Sequence, residues 1–259
     1  MRVYLLDMGS LCGWLYHASE NNDLLASLTE WTASFRRQLK PTHMVACFDA
    51  GRGGRELVDP EYKCGRVKSE GYVTSLALAK DHMADLGIYC WSQIPFEADD
   101  LICSFCKFFL ESIEHEKDEC VIVSDDKDMM ALVDDNYLVS QYSPSKGVFY
   151  DEQAVIDKFG FDPWRITEYL ACAGDSADNV PGIKGIGKKH ATEAFKQTKS
   201  MAELFRKARD HQLTGLRPST QELFVTGMDQ YQHSLQLTRM REDAKCPDIS
   251  DLEVTNEIK

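Results

Sequence analysis

The stretch Val121-Ile122-Val123-Ser124-Asp125-Asp126-Lys127-Asp128 runs from three β-branched residues into a group of acids. A short, fully apolar run of this kind predicts a strand that is buried on both faces of a sheet. The acids would then lie just beyond the carboxyl end of that strand. The fold class and the chemistry both depend on whether other parts of the chain repeat this arrangement.

Four further short apolar runs also predict buried strands. They are Val3–Leu6, Met44–Phe48, Ile88–Trp91 and Tyr137–Val139. Helix-like amphipathic stretches occupy about 23–39, 72–86 and 98–114. Strands that alternate with helices predict an α/β fold, with a mostly parallel central sheet flanked by helices on both faces.

Three of these runs also lead into acids. Leu6 is followed by Asp7 and Phe48 by Asp49, and a short loop joins Ile88–Trp91 to Glu97-Ala98-Asp99-Asp100. Ligands of parallel sheets bind outside the carboxyl ends of the strands, so these acids should converge on one crevice. A helix cap or a solvated position would explain any single acid. The whole set predicts bound cations, because carboxylates this close repel one another without them.

The chain changes character after about residue 150. We expect an α/β core over 1–150 and a helical region over 151–259, with helix candidates at Asp151–Gly160 and Pro163–Ala173. The sequence Gly182-Ile183-Lys184-Gly185-Ile186-Gly187-Lys188-Lys189 follows. A glycine hairpin between two helices, spanning about 163–195, would bring backbone N–H groups and lysines close to a phosphate. An ordinary turn between helices is the alternative.

A locally basic segment lies between two of the acid groups. Residues 52–68 contain Arg52, Arg55, Lys63, Arg66 and Lys68 against three acids. We expect the segment at about 52–82 to overhang the acidic crevice, where Tyr62 could stack on a base. A solvated loop with incidental charge is the alternative.

Composition limits the class of protein. Hydrophobic residues make up 43% of the 259, enough for a full core, and the net charge is −13. That charge alone argues against nucleic-acid binding, but acids gathered around cations would account for much of it.

Nine scattered cysteines predict reduced thiols, and the CxxC pair Cys103–Cys106 is better explained by a core helix than by a metal or redox site. We expect a cytoplasmic protein, because Asp7 comes too early for a signal peptide and the apolar runs are too short to cross a membrane.

These residues together resemble the 5′-nuclease or flap endonuclease family, which includes the 5′-nuclease domain of bacterial DNA polymerase I, stand-alone bacterial homologues and phage exonucleases. The resemblance covers about residues 1–195. The matching segments are Leu5-Leu6-Asp7, Phe48-Asp49-Ala50, Pro60-Glu61-Tyr62-Lys63-Cys64-Gly65-Arg66, Glu97-Ala98-Asp99-Asp100, Ser124-Asp125-Asp126-Lys127-Asp128 and Gly174-Asp175-Ser176-Ala177-Asp178-Asn179 with the hairpin after it.

The resemblance implies a PIN-like or resolvase-like fold with a helical arch and a helix-three-turn-helix. It implies Asp7, Asp49, Glu97 and Asp99 around one metal ion with Asp100 beside them, and Asp126, Asp128, Asp175 and Asp178 around a second. Lys63 and Arg66 are similar to the family's residues that contact the scissile phosphate. The hairpin would bind duplex DNA and hold a potassium ion on the carbonyls of Cys172, Ala173, Pro181, Ile183 and Ile186. The DNA-binding set implied is Arg55, Tyr62, Lys63, Arg66, Gly182, Lys184, Gly185, Gly187, Lys188 and Lys189.

The function implied is a structure-dependent 5′-3′ exonuclease or flap endonuclease of DNA replication and repair. It would be a monomer that cuts DNA at a 5′ flap, a nick or a 5′ end with two Mg²⁺ ions, for which Mn²⁺ could substitute.

Two departures from the family pattern are Asp125, where a small residue is usual, and the absence of a proline soon after Arg66. The alternatives are a PIN-type RNase, which typically lacks the arch and the hairpin, and a catalytically idle DNA-junction binder, which would lack some of the acids. A haloacid dehalogenase is excluded because Asp7-Met8-Gly9 does not supply its Asp-x-Asp.

Overall fold

The computed structural model describes residues 1–19, 21–65, 69–112 and 118–254. Its contacts group into two compact units. The first comprises Met1–Gly53, Val67–Asp151 and Met240–Lys259, and the second comprises Gly54–Arg66 and Glu152–Arg239. The division expected near residue 150 is a linear one, whereas these contacts also assign one early segment to the second unit and the end of the chain to the first.

A six-stranded sheet forms the centre of the first unit, in the order β3-β2-β1-β4-β5-β6. The strands are β1 (Arg2–Asp7), β2 (His43–Cys47), β3 (Tyr89–Trp91), β4 (Glu119–Val123), β5 (Val139–Ser143) and β6 (Val148–Tyr150). The first five are parallel, and only β6 runs antiparallel, beside β5. The predicted mostly parallel sheet is therefore confirmed. The chain order reverses between β1 and β4, which is where α/β sheets open a ligand crevice.

Helices cover both faces of this sheet, because successive strand residues point to opposite sides. Tyr4 and Leu6 of β1 pack with α1 (Met8–Ala18), α2 (Leu24–Leu39) and α4 (Glu70–Asp85). Val3 and Leu5 pack with α5 (Ala98–Ser112). A 3₁₀ turn at Ile249–Leu252 adds Leu252 to the same face as α5.

Two parts of the first unit differ from the sequence-based expectation. The strand predicted at Tyr137–Val139 was wrong in position. Asp135–Tyr137 forms a 3₁₀ turn, Leu138 ends that turn with a φ of 54°, and β5 begins only at Val139. The hairpin strand β6 and helix α1 were not predicted. Helix α1 begins directly after Asp7, so no loop separates it from β1.

The second unit is helical. It contains α3 (Arg55–Val58), α6 (Glu152–Phe159), α7 (Ile166–Ala173), α8 (Lys188–Lys196), α9 (Met201–Arg209), α10 (Pro218–Thr226) and α11 (Met228–Thr238). A 3₁₀ turn at Pro163–Arg165 precedes α7, and the predicted glycine turns lie between α7 and α8. The segment expected to form an arch contributes α3 and its following turns to this unit and α4 to the other.

The two cysteines of the CxxC pair are core residues. Cys103 and Cys106 are free, buried and on α5, as the core-helix interpretation predicted. Burial raises the pKa of the Cys103 thiol, so it stays protonated near neutral pH. Within the described parts of the chain, no helix is both long and apolar enough to span a membrane.

Candidate functional site

Asp7 occupies the carboxyl end of β1 and also begins α1. One carboxylate oxygen accepts a hydrogen bond from the Ser10 N–H at 3.1 Å, and the other accepts one from the Ser124 hydroxyl at 2.7 Å. Burial raises the pKa of Asp7 to about 6, with smaller contributions from the charges of Asp126 and Asp49. Asp7 is thus a buried carboxylate with two acidic neighbours, an arrangement that a cation would stabilise.

Asp49, two residues beyond β2, turns toward the same place. Its Oδ1 accepts a hydrogen bond from the Ala98 N–H at 2.8 Å, at the start of α5. Its Oδ2 faces Gly9: a Cβ on Gly9 would lie 3.9 Å from that oxygen and 3.4 Å from Asp7 Oδ1. The carboxylates of Asp7 and Asp49 therefore both lie beside Gly9, in the first turn of α1.

The loop after β4 places the next acids. The Asp126 N–H donates to the Ser124 hydroxyl at 3.0 Å, and the Asp128 N–H donates to Asp126 Oδ1 at 2.9 Å. The Gln141 side-chain amide, on β5, holds this loop by donating to the carbonyls of Ser124 and Asp126. Ser124 and Gln141 are fully buried and were not predicted as site residues. Ser124 begins the motif Ser124-Asp125-Asp126-Lys127-Asp128, but the sequence does not indicate that its hydroxyl would bind Asp7 and Asp126.

Asp125 and Asp100 accept hydrogen bonds that the sequence does not predict. The Asp125 carboxylate accepts hydrogen bonds from the hydroxyls of Ser143 and Ser145, so it holds the β5–β6 hairpin and does not add an acid to the site. Asp100 is fully buried, and its two oxygens accept the N–H groups of Glu97 and Arg241 at 3.1 and 2.8 Å. Asp7 and Asp49 accept hydrogen bonds in the same way, so these bonds fix the orientation of Asp100, and its place beside the metal ligands stays a prediction.

Glu97 and Asp99 lie at the start of α5, Glu97 buried and Asp99 partly exposed. Among the described residues, no three His, Cys, Asp or Glu side chains lie close enough together to hold a metal ion directly. Mg²⁺ can bind between carboxylates that are farther apart, because it keeps several water ligands and takes only one or two carboxylates directly. The hard oxygen donors at this edge of the sheet fit Mg²⁺ in kind.

Asp175 and Asp178 belong to a loop of the second unit. The loop is closed by paired backbone hydrogen bonds between Asp175 and Val180 at 3.0 and 2.8 Å. Asp175 is buried, and its side chain accepts the Ala177 N–H at 2.9 Å. Lys63 lies against this loop, with its ammonium 3.5 Å from Asp178 Oδ2. Arg66, the other residue expected to contact the scissile phosphate, lies outside the described residues.

Arg55 and Tyr62 do not have the DNA-facing positions predicted for them. The Arg55 guanidinium is 5% exposed and donates to the carbonyls of Leu237 and Arg239 at 2.9 and 2.8 Å, where α11 ends. Those carbonyls lack partners within the helix, so Arg55 serves as their cap. Tyr62 is 3% exposed and packs with Val180 and Leu237. Its ring offers no free stacking face.

The glycine hairpin presents backbone on the surface. Ile183 and Ile186 are buried, whereas Gly185, Gly187 and the lysines are exposed. The exposed lysines are Lys184, Lys188 and Lys189. Helix α8 begins at Lys188 after Gly187, which has no side chain to cap its first N–H groups. Exposed N–H groups beside three lysines form a surface suited to phosphate.

Gly182 makes the turn possible. Its φ is +66°, and a Cβ there would lie 2.4 Å from the backbone nitrogen of Gly174. The close approach joins the end of α7 to the hairpin, and Ile183 N–H donates to the Cys172 carbonyl at 2.9 Å. Gly182 is buried, so its role is in folding the hairpin and not in direct contact with DNA.

Two family models together match residues 2–258. The first, a 5′-3′ exonuclease N-terminal resolvase-like domain, matches residues 2–160, and the second, a 5′-3′ exonuclease C-terminal SAM fold, matches 161–258. The chain belongs to the 5′-3′ exonuclease family. The family and the fold class predicted from the motifs are both confirmed.

Individual relatives of this 5′-3′ exonuclease family member agree with the assignment. DNA polymerase I of Mycobacterium tuberculosis is 32% identical over an alignment of 218 residues, which covers 78% of this chain and 24% of that protein. Flap endonuclease Xni of Pseudoalteromonas translucida is 27% identical over 246 residues, covering 93% of this chain and 89% of the relative. The chain spans about a quarter of the length of the DNA polymerase I relatives it matches.

A solved structure supports the fold of this exonuclease family member. It is a bacteriophage T5 flap endonuclease, described as a pseudo-enzyme–product complex with DNA and metal ions. The TM-score is 0.73 at 18% identity, with 92% of this chain and 89% of the other covered.

Arg55→Lys should destabilise this exonuclease family member without weakening DNA binding. A lysine cannot reach both carbonyls with one planar fork, so the free energy of unfolding should fall by about 1–3 kcal/mol. Denaturant unfolding and duplex-DNA affinity would be measured together. Arg217→Lys, at an exposed position of the same unit, is the control and should leave the unfolding free energy unchanged. A loss of DNA affinity in a fully stable Arg55→Lys protein would restore the DNA-binding role.

Gly187→Ala should weaken duplex binding several-fold while the fold is retained. A Cβ at Gly187 meets no atom within 4 Å, so it projects into the space that a phosphate would approach. Gly182→Ala should instead destabilise the chain by a few kcal/mol, because its Cβ meets backbone. Gly13→Ala in α1, whose Cβ would lie 3.8 Å from the Tyr72 hydroxyl, is the matched control. Unchanged duplex affinity of Gly187→Ala would remove the hairpin from the DNA-binding surface.

Proposed function

We propose that this protein is a structure-dependent 5′-3′ exonuclease or flap endonuclease that hydrolyses DNA phosphodiesters with divalent metal ions. The observation that carries the proposal is the buried Asp7 carboxylate at the point where the strand order reverses, with Asp49 and Asp126 beside it. Membership of the 5′-3′ exonuclease family and the flap endonuclease relative support the same activity.

Mg²⁺ is the proposed metal, and Mn²⁺ should substitute for it. When bound, the two ions would activate a water molecule and stabilise the charge that develops on the phosphate. Asp7, Asp49, Glu97, Asp99, Asp126 and Asp128 are the proposed ligands in the first unit, with Asp100 beside them, and Asp175 and Asp178 are those in the second. The Ser10 N–H and the Ser124 hydroxyl fix the orientation of Asp7, and the Ala98 N–H fixes that of Asp49. These donors preorganise the carboxylates before any ion arrives.

Lys63 and Arg66 are proposed to act electrostatically on the scissile phosphate. The hairpin residues Lys184, Gly185, Gly187, Lys188 and Lys189 are proposed to hold the duplex through its phosphates. Contacts of that kind fix position and do not read sequence. The preferred substrate is therefore set by the shape of the DNA: a 5′ flap, a nick or a free 5′ end.

A potassium ion at the hairpin is a further part of the proposal. The turn at Gly182 brings residues 172–174 next to residues 181–183, which supports a group of carbonyls from Cys172, Ala173, Pro181, Ile183 and Ile186. The carbonyls of Cys172 and Ile183 each accept one backbone hydrogen bond, and a carbonyl oxygen retains a second lone pair. Duplex affinity that is higher in K⁺ than in Na⁺ at equal ionic strength would support this ion.

A PIN-type RNase is disfavoured by the match to the C-terminal exonuclease domain. A catalytically idle DNA-junction binder is disfavoured by the intact set of acids around Asp7. A monomeric state and a cytoplasmic location remain predictions from the sequence.

Digestion of three matched DNA substrates tests the proposed function. A 5′-flap duplex, a nicked duplex and a single strand of the same sequence would be incubated with the protein and Mg²⁺. We expect cleavage near the junction of the flap and release of short products from the nick, with little cutting of the single strand. Equal cleavage of all three DNA substrates would reject the proposal. An RNA single strand of the same sequence would be tested beside them, and cleavage of that RNA but of none of the DNA substrates would also reject it.

A further inference from the structure

The turn that carries Lys63 is attached to the loop that carries Asp178, within the second unit. The Lys63 N–H donates to the Asp178 carbonyl at 3.0 Å, and the Asn179 side-chain amide donates to the Glu61 carbonyl at 2.9 Å. The Lys63 ammonium lies 3.5 Å from Asp178 Oδ2. Residues of the loop therefore hold this turn on both sides of Tyr62.

Lys63 has a backbone conformation that its neighbours must maintain. Its φ is 55°, in the left-handed region that is sterically unfavourable for a residue with a Cβ. Its side chain is largely buried, with the ammonium 5.2 Å from the centre of the Tyr62 ring. Asn179 also has a positive φ, of 59°, which asparagine tolerates better than most residues. The side chain of Asn179 thus supports the turn without strain comparable to that at Lys63.

The rest of the turn is anchored independently of Asn179. Asp59 accepts the Glu61 N–H at 2.9 Å and lies 3.1 Å from His233 Nε2 of α11. These two partners hold the pKa of Asp59 below its ordinary value. Tyr62 packs on Leu237, and Arg55 caps α11. Removal of the Asn179 amide should therefore loosen the carbonyl of Glu61, and with it the placement of Lys63, while leaving the segment folded.

We propose that Asn179 is a positioning residue for Lys63, which it holds in place through the Glu61 carbonyl. The inference rests on the proposed function, in which Lys63 acts on the scissile phosphate. The loop at Asp175–Val180 then has two tasks: its aspartates are the proposed metal ligands, and its asparagine fixes the lysine. A misplacement of about 1 Å at a catalytic group costs up to about a hundredfold in rate.

A double-mutant cycle tests this inference. Wild type, Asn179→Gly, Lys63→Ala and the double variant would be compared in single-turnover cleavage of a 5′-flap duplex with Mg²⁺. Glycine adopts a positive φ readily and removes the side-chain amide, and Asn22→Gly controls for the added backbone freedom. We expect Asn179→Gly to slow cleavage by about tenfold in the wild-type background. In the Lys63→Ala background it should slow cleavage by less than about twofold, because a residue that acts through Lys63 has no effect without it.

Asn22→Gly is the matched control, since Asn22 has φ 53° in an exposed turn of the first unit; it should cleave at the wild-type rate. Mn²⁺ binding without DNA should be the same for Asn179→Gly and wild type. The inference is overturned if Asn179→Gly cleaves at the wild-type rate, if it costs as much in the Lys63→Ala background as alone, or if it weakens Mn²⁺ binding. A wild-type protein that cleaves no flap in Mg²⁺ would instead reject the proposed function itself.

Discussion

Asp7→Asn should slow cleavage by about three orders of magnitude while leaving the protein folded. The amide keeps the shape of the carboxylate, but it removes the negative charge next to Asp49 and Asp126. Loss of one proposed metal ligand should lower the single-turnover rate by about three orders of magnitude, equivalent to ~4 kcal/mol of transition-state stabilisation. Rates on a 5′-flap duplex in saturating Mg²⁺ measure the effect.

Stability distinguishes this interpretation from simple damage to the fold. Burial raises the pKa of Asp7 to about 6, above its ordinary value, so its ionised form at pH 7 costs the metal-free protein stability. A neutral amide removes that cost, and the Ser10 N–H can still donate to the remaining oxygen. We expect Asp7→Asn to unfold at the wild-type temperature or above it and to bind DNA normally. An unfolded variant, or one with near-normal cleavage, would show that Asp7 is a structural acid.

Lys63→Ala should lower the rate of cleavage by about a hundredfold with little change in DNA affinity. In the proposed function, the Lys63 ammonium acts on charge that develops mainly in the transition state, while many other phosphate contacts hold the bound substrate. The burial of Lys63 beside Tyr62 and Asp178 indicates a fixed side chain and not a solvated one. Single-turnover rates and equilibrium binding of the same flap substrate separate the two quantities.

Lys184→Ala is the informative contrast to Lys63→Ala. Lys184 is exposed on the hairpin, and its substitution by alanine removes one positive charge, as Lys63→Ala does. Its loss should weaken binding while leaving the rate on saturating substrate unchanged, since phosphate contacts remote from the reaction hold both states equally. If Lys63→Ala behaves like Lys184→Ala, the basic segment only attracts DNA.

The parallel sheet and the positions of its acids could be predicted because their signals are local. Apolar runs such as Val3–Leu6 define strands by themselves, and an acid after each run must lie at the carboxyl edge of a parallel sheet. The hairpin was equally predictable, because Gly182 and Gly185 adopt the positive φ that glycine favours. The order of motifs along the chain then identified the family.

The roles of individual polar residues could not be predicted, because they depend on partners distant in the sequence. The basic segment predicts that Arg55 contacts DNA, but its guanidinium donates to the carbonyls of Leu237 and Arg239, far along the chain. The N–H group that Arg241 donates to Asp100 comes from a residue distant in the sequence, so the sequence does not predict that contact. Tyr62 in a basic segment suggested stacking, but tertiary packing buries it. Composition places such side chains near a site and leaves open whether they face it.

The dependence of flap cleavage on divalent ions tests the central claim most directly. The protein would be treated with excess chelator, assayed on a 5′-flap duplex, and assayed again after addition of Mg²⁺ or Mn²⁺. Carboxylates gathered at the carboxyl edge of the sheet predict no cleavage in chelator and full recovery with either ion. Undiminished cleavage in excess chelator would contradict the account, since the acids around Asp7 would then have no metal to bind.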